Sequence, residues 1–391
     1  MAIKSSEIQT EPIRILHVLG RLDRGGAETM VMNLYRCIDR SRIQFDFVLH
    51  TEEECAYSEE VRALGGRIFS VPAFSVSGAV HYRRAWKELL KTHTEWKVLH
   101  SHIRSTAALY LPIAKNFGIC TIIHSHNTAS GSGVSALVKT LLQYPLRFQA
   151  DYLFACSKMA GEWLYGKRAC DKQNFYLLKN AIDTERFAFS KEKRQKGRER
   201  LGISEQDFVV GHVGRFEEQK NHRFLLDIWE AWLQREAAKP ERKSMLLLIG
   251  EGVLEPQIKQ LAEKKGLKNV RFLGSRTDVD ELISAMDVFL FPSLFEGLPV
   301  TLIEAQAAGL KVLASDTISK EVMVTKLVRM CSLKAPALEW SGWLEKAQII
   351  EGMSARMRRS REAVTQIKAS GYDIQETAAW LKEFYRSIWN G

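Results

Sequence analysis

Short runs of apolar residues alternate along the chain with longer stretches in which apolar positions recur at helical spacing. The first run, Ile13–Leu19, is closed by Gly20 and predicts a buried strand. In the next stretch Met30, Val31 and Leu34 share one helical face. Further strands are predicted at residues 45–49, 67–71, 98–100, 121–124 and 152–155. Because strands and helices alternate, the pattern predicts a parallel sheet covered by helices.

A second alternating series follows a charged segment. Residues 171–206 include the run Lys191–Arg200, which we expect to be solvated, and a domain boundary is predicted near residue 185. Beyond it, strands are predicted at residues 208–212, 245–249, 270–273, 288–291 and 311–314. The predicted fold is α/β, with two facing Rossmann-like doubly wound domains over residues 1–185 and 186–370. Since ligands of such sheets bind at the carboxyl ends of the strands, a site is expected in the interdomain cleft.

Residues 371–391 are predicted to form a helix with a large aromatic surface. Its apolar side chains are Trp380, Leu381, Phe384, Tyr385, Ile388 and Trp389. That much apolar surface must be buried, so we expect this helix to pack back toward the N-terminal domain.

The composition limits the possible classes of protein. Of the 391 residues, 46% are hydrophobic and 26% are charged, which is typical of a soluble globular protein and excludes a disordered chain. No run of about 18 apolar residues predicts a membrane-spanning helix. Residues 1–12 lack the apolar centre of a signal peptide, so we expect a cytoplasmic protein. The six cysteines form no C-x-x-C pair, which argues against a zinc site and against a disulfide framework.

The net charge is +10 at pH 7, and most of the excess lies in the first half. Residues 1–180 contain 23 Lys and Arg against 16 Asp and Glu. A basic half could face nucleic acid, an anionic membrane surface or phosphorylated substrates, and the charge alone does not distinguish these partners. The cluster Arg356, Arg358, Arg359 and Arg361 has no interleaved aromatic residues, so a solvated helix face is expected there.

Gly25 and Gly26 follow the first strand and open a helix. Glycines at this place let a ligand approach the backbone, and a helix N-terminus attracts an anion. The segment Arg21–Glu28 matches neither a P-loop nor G-x-G-x-x-G, so it does not support an ATP or nicotinamide site. The alternative is a plain tight turn.

Arg215 and Lys220 lie on one loop after the first strand of the second series. Together they could grip a diphosphate, the guanidinium as a fork and the ammonium as a point charge. The alternative is a pair of solvated surface cations.

The string Phe295–Pro299 precedes a further predicted helix. Pro299 suits the first helical position and Gly309 the C-terminal cap. Glu296 then lies just before the helix, and Glu304 in its second turn. The amides of Gly297 and Leu298 could hold phosphate or sugar oxygens; the alternative is that Glu296 only complements the helix dipole.

Two pairs of histidines end adjacent strands of the first domain, His100 with His102 and His124 with His126. At strand ends they would point into the cleft and could contact a hydroxyl group or a metal ion. Asp278-Val279-Asp280 resembles a metal-binding D-x-D, but it opens a predicted helix, so we interpret it as a cap.

Residues 134–147 form an apolar stripe with basic flanks. The apolar members are Val134, Leu137, Val138, Leu141, Leu142, Tyr144 and Leu146, and the basic ones are Lys139 and Arg147. The stripe is either a core helix or a surface that rests on an anionic membrane leaflet.

Taken together, these strings resemble the family 4 glycosyltransferases of the two-domain GT-B type. Within that family the chain is similar to the bacterial exopolysaccharide and capsule transferases called EpsF-like. The most specific string is F-P-S-L-F-E-G-L-P-V-T-L-I-E-A-Q-A-A-G, which contains the family's E-x7-E with Glu296 and Glu304 in the matching positions. Other matching segments are Ile13–Asn33, His124–Asn127, Phe154–Leu164, Asn180–Phe187 and Gly211–Asn221.

The resemblance implies a retaining, metal-independent transfer of a sugar from a nucleotide-sugar, and a UDP-sugar is the expected donor. It implies a saccharide acceptor, carried on a polyprenyl diphosphate lipid, at the inner face of the cytoplasmic membrane. No metal cofactor is expected. The resemblance implies that Arg215 and Lys220 bind the donor diphosphate, that Glu296 contacts the donor sugar and that Glu304 contacts the ribose. It also implies that Gly25 and Gly26 approach the phosphates and the acceptor. His126 would lie near the reacting sugar.

Two other classes of function stay open. A nucleotide-sugar epimerase or a phosphorylase shares the same architecture, and analysis of the products with an acceptor present distinguishes them. A nucleic-acid-binding protein would explain the net charge but not Glu296 and Glu304, and no nucleic-acid partner is expected.

Overall fold

The computed structural model describes residues 11–126, 143–236, 243–348 and 352–389. The chain forms two compact units. The first contains Met1–Ala181 together with Ile374–Gly391, and the second is Ile182–Asp373. The first unit is therefore built from two separate stretches of chain.

The first unit is organised around a seven-stranded sheet in which every pairing is parallel. The strands are β1 (Ile13–Leu19), β2 (Ile43–Leu49), β3 (Ile68–Ser70), β4 (Val98–Ser101), β5 (Cys120–Ser125), β6 (Tyr152–Ala155) and β7 (Phe175–Leu177). Their spatial order is β3-β2-β1-β4-β5-β6-β7, so the direction of winding reverses between β1 and β4.

Helices cover both faces of this sheet and enclose two apolar clusters. The helices of the first unit are Gly26–Cys37, Ser58–Ala63, Ala79–Thr92, Ala107–Asn116, Leu146–Gln149, Lys158–Tyr165, Lys167–Cys170 and Ile374–Trp389. Ile374–Trp389 packs beside Gly26–Cys37, where Leu381 and Tyr385 are fully buried. Branched and aromatic side chains on β1 and β2 face them, as expected for strands buried on both sides.

The second unit has a six-stranded, wholly parallel sheet. Its strands are β8 (Phe208–Val213), β9 (Ser244–Ile249), β10 (Val270–Phe272), β11 (Val288–Phe291), β12 (Lys311–Ser315) and β13 (Val328–Cys331). Its helices are Thr184–Phe187, Lys191–Leu201, His222–Glu236, Glu255–Lys264, Val279–Ala285, Val300–Ala307, Ala337–Ala347 and Met353–Ala369, with 3₁₀ turns at Glu218–Lys220 and Lys320–Val322. The order β10-β9-β8-β11-β12-β13 reverses between β8 and β11. Both units are thus doubly wound, as the sequence predicted.

The charged run Lys191–Arg200 is only partly solvated, so its prediction as a solvated segment was wrong. It forms the helix Lys191–Leu201, in which Arg194 and Arg198 are buried. Their Nη2 atoms donate to the two carboxylate oxygens of Asp287, at 3.0 and 2.9 Å. A carboxylate distant in sequence makes the burial of two cations possible.

Arg356 likewise contradicts the expected solvated helix face. Its guanidinium is buried and donates to backbone carbonyl oxygens, including those of Ala308 at 3.1 Å and Ser284 at 3.0 Å. Arg358 and Arg361 are exposed, as expected. Arg356 therefore connects the helix Met353–Ala369 to the core of the second unit by hydrogen bonds.

Within the described ranges, no helix combines the length and apolar character needed to cross a membrane. All six cysteines are free in this structure. Most of the stripe at 134–147 lies outside the described residues, which resume at Gln143.

Candidate functional site

The loop after β8 carries the two predicted diphosphate-binding cations. It runs from Gly214 through the 3₁₀ turn Glu218–Lys220 to Asn221, which adopts a left-handed φ of +54°. The neighbouring strand end approaches it closely at Gly250, where φ is +135° and a Cβ atom would collide with the carbonyl oxygen of Gly214. Only glycine tolerates both that conformation and that contact, and so lets the loop lie against the end of β9.

A second loop, which follows β11, is fastened to the first. The Leu294 amide donates to the carbonyl of Gln219 at 2.8 Å, and Gln219 Nε2 donates to the carbonyl of Phe295 at 2.9 Å. Asn221 Nδ2 donates to the carbonyl of Pro292 at 3.1 Å. Because β8 and β11 are the strands between which the winding reverses, the joined loops lie at the switch point, the usual ligand site of such sheets.

Lys220 and Glu296 meet where the two loops join. Lys220 Nζ lies 2.6 Å from Glu296 Oε1, and their side chains are only 16% and 11% exposed. The ammonium also lies 4.8 Å from the centroid of the Phe291 ring. Arg215 differs, since its side chain is exposed and its Nη1 pairs with Glu217 Oε1 at 2.8 Å. The structure therefore brings Lys220 and Glu296 into contact and leaves Arg215 at the rim.

Gly297 and Leu298 lie between Glu296 and the helix Val300–Ala307. Pro299 occupies the position before the first helical residue, rather than the first helical position that the sequence predicted. A Cβ atom at Gly297 would meet no described atom within 4 Å, so the backbone is open there. Gly309 follows the helix with φ +65°, which confirms its predicted role in ending it.

Glu304 lies half-buried on this helix. Loss of hydration raises the pKa of its carboxyl group to about 7, while the positive charge of Arg186 opposes the rise and the negative charge of Asp280 adds to it. A carboxyl group with this pKa changes its charge in the neutral range.

The D-x-D segment is engaged by cations. Asp278 precedes the helix Val279–Ala285, but among the described residues its carboxylate accepts no capping hydrogen bond from the first turn. It pairs instead with Arg276, at 2.7 Å, and with Arg200. Asp280 Oδ1 lies 3.0 Å from Arg186 Nη2. Asp278 therefore occupies the predicted N-cap position, but nearby guanidinium groups engage its carboxylate in place of the helix amides.

In the first unit, Gly25 precedes the helix Gly26–Cys37, which begins at the carboxyl end of β1. A Cβ atom at Gly26 would meet no described atom within 4 Å, whereas one at Gly25 would collide with the carboxylate of Glu28. An acidic side chain of the first turn thus lies against this helix N-terminus, where negative charge is favoured.

Five histidines on β1, β4 and β5, and just after them, stack in the same unit. They are His17, His100, His102, His124 and His126. The first four are at most 9% exposed, and His126 is half-buried. The expectation that strand-end histidines point into a cleft was therefore wrong for His100, His102 and His124. The parallel pairing of β1 with β4 places His17 directly beside His100, so their rings stack on one face of the sheet.

The cluster is linked by hydrogen bonds between ring nitrogens. His17 Nδ1 lies 3.0 Å from His102 Nε2, and His102 Nδ1 lies 2.8 Å from His126 Nε2. His100 Nδ1 contacts Tyr385 Oη at 2.7 Å. Burial lowers the pKa of His17 and of His126 to about 3, so both rings are neutral at pH 7.

Two triplets of this cluster have the composition of a metal site. In His17, His100 and His102, and in His102, His124 and His126, one nitrogen from each ring lies within 4.8 Å of the others. Sequence reasoning missed His17 because it is distant in the chain; the alignment of β1 with β4 was the signal that could have found it.

Both units of the chain are similar in sequence to known glycosyltransferases. Residues 24–186 match the family described as Glycosyltransferase Family 4, and residues 207–335 match Glycosyl transferases group 1. The chain is 36% identical over 379 residues to EpsF of Bacillus subtilis, which is named as a glycosyltransferase, covering 95% of this chain and 96% of that protein. It is 26% identical over 316 residues to an Escherichia coli UDP-Gal:α-D-GlcNAc-diphosphoundecaprenol α-1,3-galactosyltransferase, covering 76% of this chain and 77% of that one.

Solved structures show the same fold. HepE of Anabaena, in complex with UDP and glucose, aligns with a TM-score of 0.73 at 18% identity, over 96% of this chain and all of that one. WaaG, a glycosyltransferase of lipopolysaccharide biosynthesis, aligns with a TM-score of 0.66 at 18% identity, over 93% of this chain and 98% of that one. The predicted GT-B architecture of two Rossmann-like domains is confirmed.

Proposed function

Since the chain belongs to glycosyltransferase family 4, we propose that it transfers a sugar from a UDP-sugar to a lipid-linked saccharide, with retention of anomeric configuration and without a metal ion. That it is a glycosyltransferase is shown by its similarity to EpsF and by the two matching family descriptions. The donor, the acceptor and the stereochemistry are the parts that we propose.

The contact between Lys220 and Glu296 is the observation that carries the proposal. In the transfer, the bond from sugar C1 to the diphosphate breaks, a bond from C1 to an acceptor hydroxyl oxygen forms, and the proton of that hydroxyl passes to the departing diphosphate. Negative charge builds on the departing diphosphate, and Lys220, Arg215 and the open backbone at Gly297 and Leu298 can stabilise it. Glu296, held beside Lys220, is available to the sugar hydroxyls.

Two relatives support the choice of donor and acceptor. HepE was solved with UDP and glucose, and with UDP-glucose. The Escherichia coli relative is named for UDP-Gal and a diphosphoundecaprenol acceptor. A metal ion is not needed in this proposal because cations supply the charge, and because Asp278 and Asp280 are already paired with arginines.

The test uses the purified full-length protein. A panel of nucleotide-sugars is first screened for thermal stabilisation, since a ligand that binds the folded state raises its melting temperature. Transfer from each stabilising donor to polyprenyl-diphosphate saccharides is then measured with and without excess EDTA. We expect a UDP-sugar to give a retained glycosidic product in both conditions.

Each alternative predicts a different product. An epimerase would convert the nucleotide-sugar without an acceptor, and a phosphorylase would release a sugar phosphate. Salt-sensitive retention of DNA without any transfer would favour a nucleic-acid-binding protein. Activity that EDTA abolishes and magnesium or manganese restores would contradict metal independence.

We further propose that the protein works in the cytoplasm, peripherally on the inner face of the membrane. At the described end of the stripe Tyr144 is 58% exposed, and the Arg147 guanidinium lies 4.5 Å from its ring centroid; Phe148, which directly follows the stripe, is 67% exposed. Aromatic rings beside a cation suit the boundary of an anionic bilayer.

Co-sedimentation with vesicles tests this location. We expect binding to anionic vesicles at low salt, weaker binding at high salt, and less binding by Phe148→Ser. Phe117→Ser is the control, since Phe117 is another exposed aromatic residue of the same unit. Equal, negligible binding to anionic and neutral vesicles would contradict the proposal.

A further inference from the structure

Three of the stacked histidines form a continuous hydrogen-bonded chain, which we call the histidine chain: His17, His102 and His126. Its two links are His17 Nδ1 to His102 Nε2, at 3.0 Å, and His102 Nδ1 to His126 Nε2, at 2.8 Å. His102 thus uses both ring nitrogens, and the chain connects the middle of β1 to the carboxyl end of β5.

The geometry favours shared protons over a bound metal ion. Nitrogens that bind one tetrahedral zinc ion at about 2.05 Å are about 3.3 Å apart, whereas both links of the histidine chain are shorter. The rings also stack, with planes inclined by 11° between His17 and His102 and by 34° between His102 and His126, so they do not converge on one point. Each link is therefore a hydrogen bond with one proton.

Neutral rings restrict how these protons can be arranged. A neutral imidazole carries one N–H, and two links among three rings allow only two arrangements. If His17 donates to His102, then His102 donates to His126 and the proton of His126 is on Nδ1. If the direction is reversed, His126 donates from Nε2, and His17 carries its proton on Nε2.

The two ends of the chain distinguish these arrangements. Among the described residues, His17 Nε2, His126 Nδ1 and Asn180 Oδ1 are buried without a hydrogen-bond partner. The His17 ring packs 4.1 Å from the Phe45 ring, and among the described residues His17 Nε2 has no acceptor, so a proton there would be a buried donor without a partner. The Asn180 side chain raises the pKa of His126, which is the effect of an acceptor close to the ring, and the unpartnered Asn180 oxygen requires a donor. A proton on His126 Nδ1 supplies that donor.

We propose that His17 and His102 are positioning residues that hold His126 as the Nδ1–H tautomer and fix the orientation of its ring. His126 then offers a single hydrogen-bond donor, to Asn180 or to an oxygen of a bound sugar. The effect on catalysis rests on the proposed function and on the place near the reacting sugar that the family resemblance implies for His126; the tautomer itself does not.

The experiment is NMR of the full-length protein with ¹⁵N-labelled histidine. His126→Gln identifies the His126 signals by their loss. We expect wild-type His126 to be protonated on Nδ1 and unprotonated on Nε2. In His102→Phe, which keeps a ring in the stack but removes both links, both tautomers of His126 should be populated. His102→Asn, whose amide can replace Nδ1 as a donor, should restore the wild-type pattern.

The matched control is His100→Phe. His100 is equally buried in the stack but bonds to Tyr385 outside the chain, so the tautomer of His126 should not change. For transfer, we expect His102→Phe to lower kcat roughly 10–100-fold, as for other partners that fix a histidine tautomer. Donor KM should be nearly unchanged, and His102→Asn should recover most of kcat.

Two outcomes overturn the inference: an Nε2–H tautomer of His126 in the wild type, or a tautomer that His102→Phe leaves unchanged. Full transfer activity in His126→Gln would instead contradict the proposed role of His126 in the reaction. The spectra would still decide whether the histidine chain sets its tautomer, so the two failures are distinguishable.

Discussion

Lys220 carries a charge that a neighbouring carboxylate already compensates, because Glu296 lies 2.6 Å from its ammonium group. A cation held in this way does not have to be ordered when a diphosphate arrives, so little conformational entropy is lost on binding. The exposed Arg215 must leave Glu217 and become ordered. At the scale of single residues, the two cations should therefore contribute unequally.

We expect Lys220→Ala to lower kcat/KM roughly 100-fold or more, as for the loss of a group that stabilises charge in the transition state. The same change at Arg215 should also lower it, by a smaller factor. Arg223→Ala is the control, since Arg223 is a nearby exposed cation that bonds to Gln257. Steady-state kinetics with the best donor measure all three variants. Near-wild-type kinetics for both Lys220→Ala and Arg215→Ala would contradict the assignment.

Glu304 should make donor use dependent on pH. Its pKa is raised to about 7 by loss of hydration, and the role that the family resemblance implies for it, accepting hydrogen bonds from ribose hydroxyls, favours the ionised carboxylate. Since an acid is half ionised at its pKa, kcat/KM should rise with pH, with a midpoint near pH 7, and level off about one pH unit higher. Arg186→Ala removes a nearby positive charge and should move the midpoint upward, whereas Glu185→Gln, a change of the adjacent exposed side chain, should not. A pH profile of Glu304→Gln that keeps the wild-type step would contradict this origin.

The candidate residues could be found in the sequence, but their contacts could not. Helix and strand spacing placed Lys220 and Glu296 after strands, and local composition marked them. Their 2.6 Å contact depends on β8 and β11 being neighbours, which is a property of the sheet order. Gly250 gave no local signal either, since its conformation is required by the approach of Gly214 from another strand.

At the scale of elements, strands β1, β4 and β5 hold histidines where sheets of this kind hold aliphatic residues. Burial lowers the pKa of His17 to about 3, against 6.5 for an exposed imidazole. The folded state thus binds fewer protons than the unfolded state between these values. Each histidine that is buried in its neutral form therefore leaves the free energy of unfolding unchanged by pH above about 6.5. Below that pH, each one lowers the free energy of unfolding by about 1.4 kcal/mol per pH unit.

We therefore expect the first unit to lose stability steeply between pH 6.5 and 5. Hydrogen exchange of the β1, β4 and β5 amides, followed from pH 7 to pH 5, measures the local free energy of opening. His100→Phe removes one titrating group, so the slope of the opening free energy against pH should correspond to about one proton fewer. An opening free energy that is constant over this range would show that the rings are not held neutral.

Elements were predicted where the sequence pattern is long and were missed where it is short. The strands β7 (Phe175–Leu177) and β13 (Val328–Cys331) lie at sheet edges, and neither contains an apolar run that stands out. The helix Lys191–Leu201 was predicted to be a solvated charged segment because Asp287, which makes the burial of Arg198 possible, lies far away in the sequence, just before β11. Pairings distant in sequence override local composition in both cases.

At the scale of the whole molecule, two domains could be counted from the sequence because each repeats its own strand–helix alternation. The exact boundary between the two units could not be predicted from the sequence, since Ala181 and Ile182 belong to different units and no change in composition separates them. Ile374–Trp389 completes the first unit by adding Leu381 and Tyr385 to the core beside β1 and β2.

This discontinuity sets an order of events during synthesis. Ile374–Trp389 leaves the ribosome only after the entire second unit has been made, so the first unit waits with part of its apolar face uncovered. Domains commonly fold as they emerge, the N-terminal one first; here the second unit can finish before the first. Chains that end at Asp373 and are held on the ribosome by a flexible linker that fills the exit tunnel should therefore hold a protease-resistant second unit, together with a first unit that chaperones still bind. The seven-stranded sheet should become resistant only when Tyr385 has been added and can reach His100.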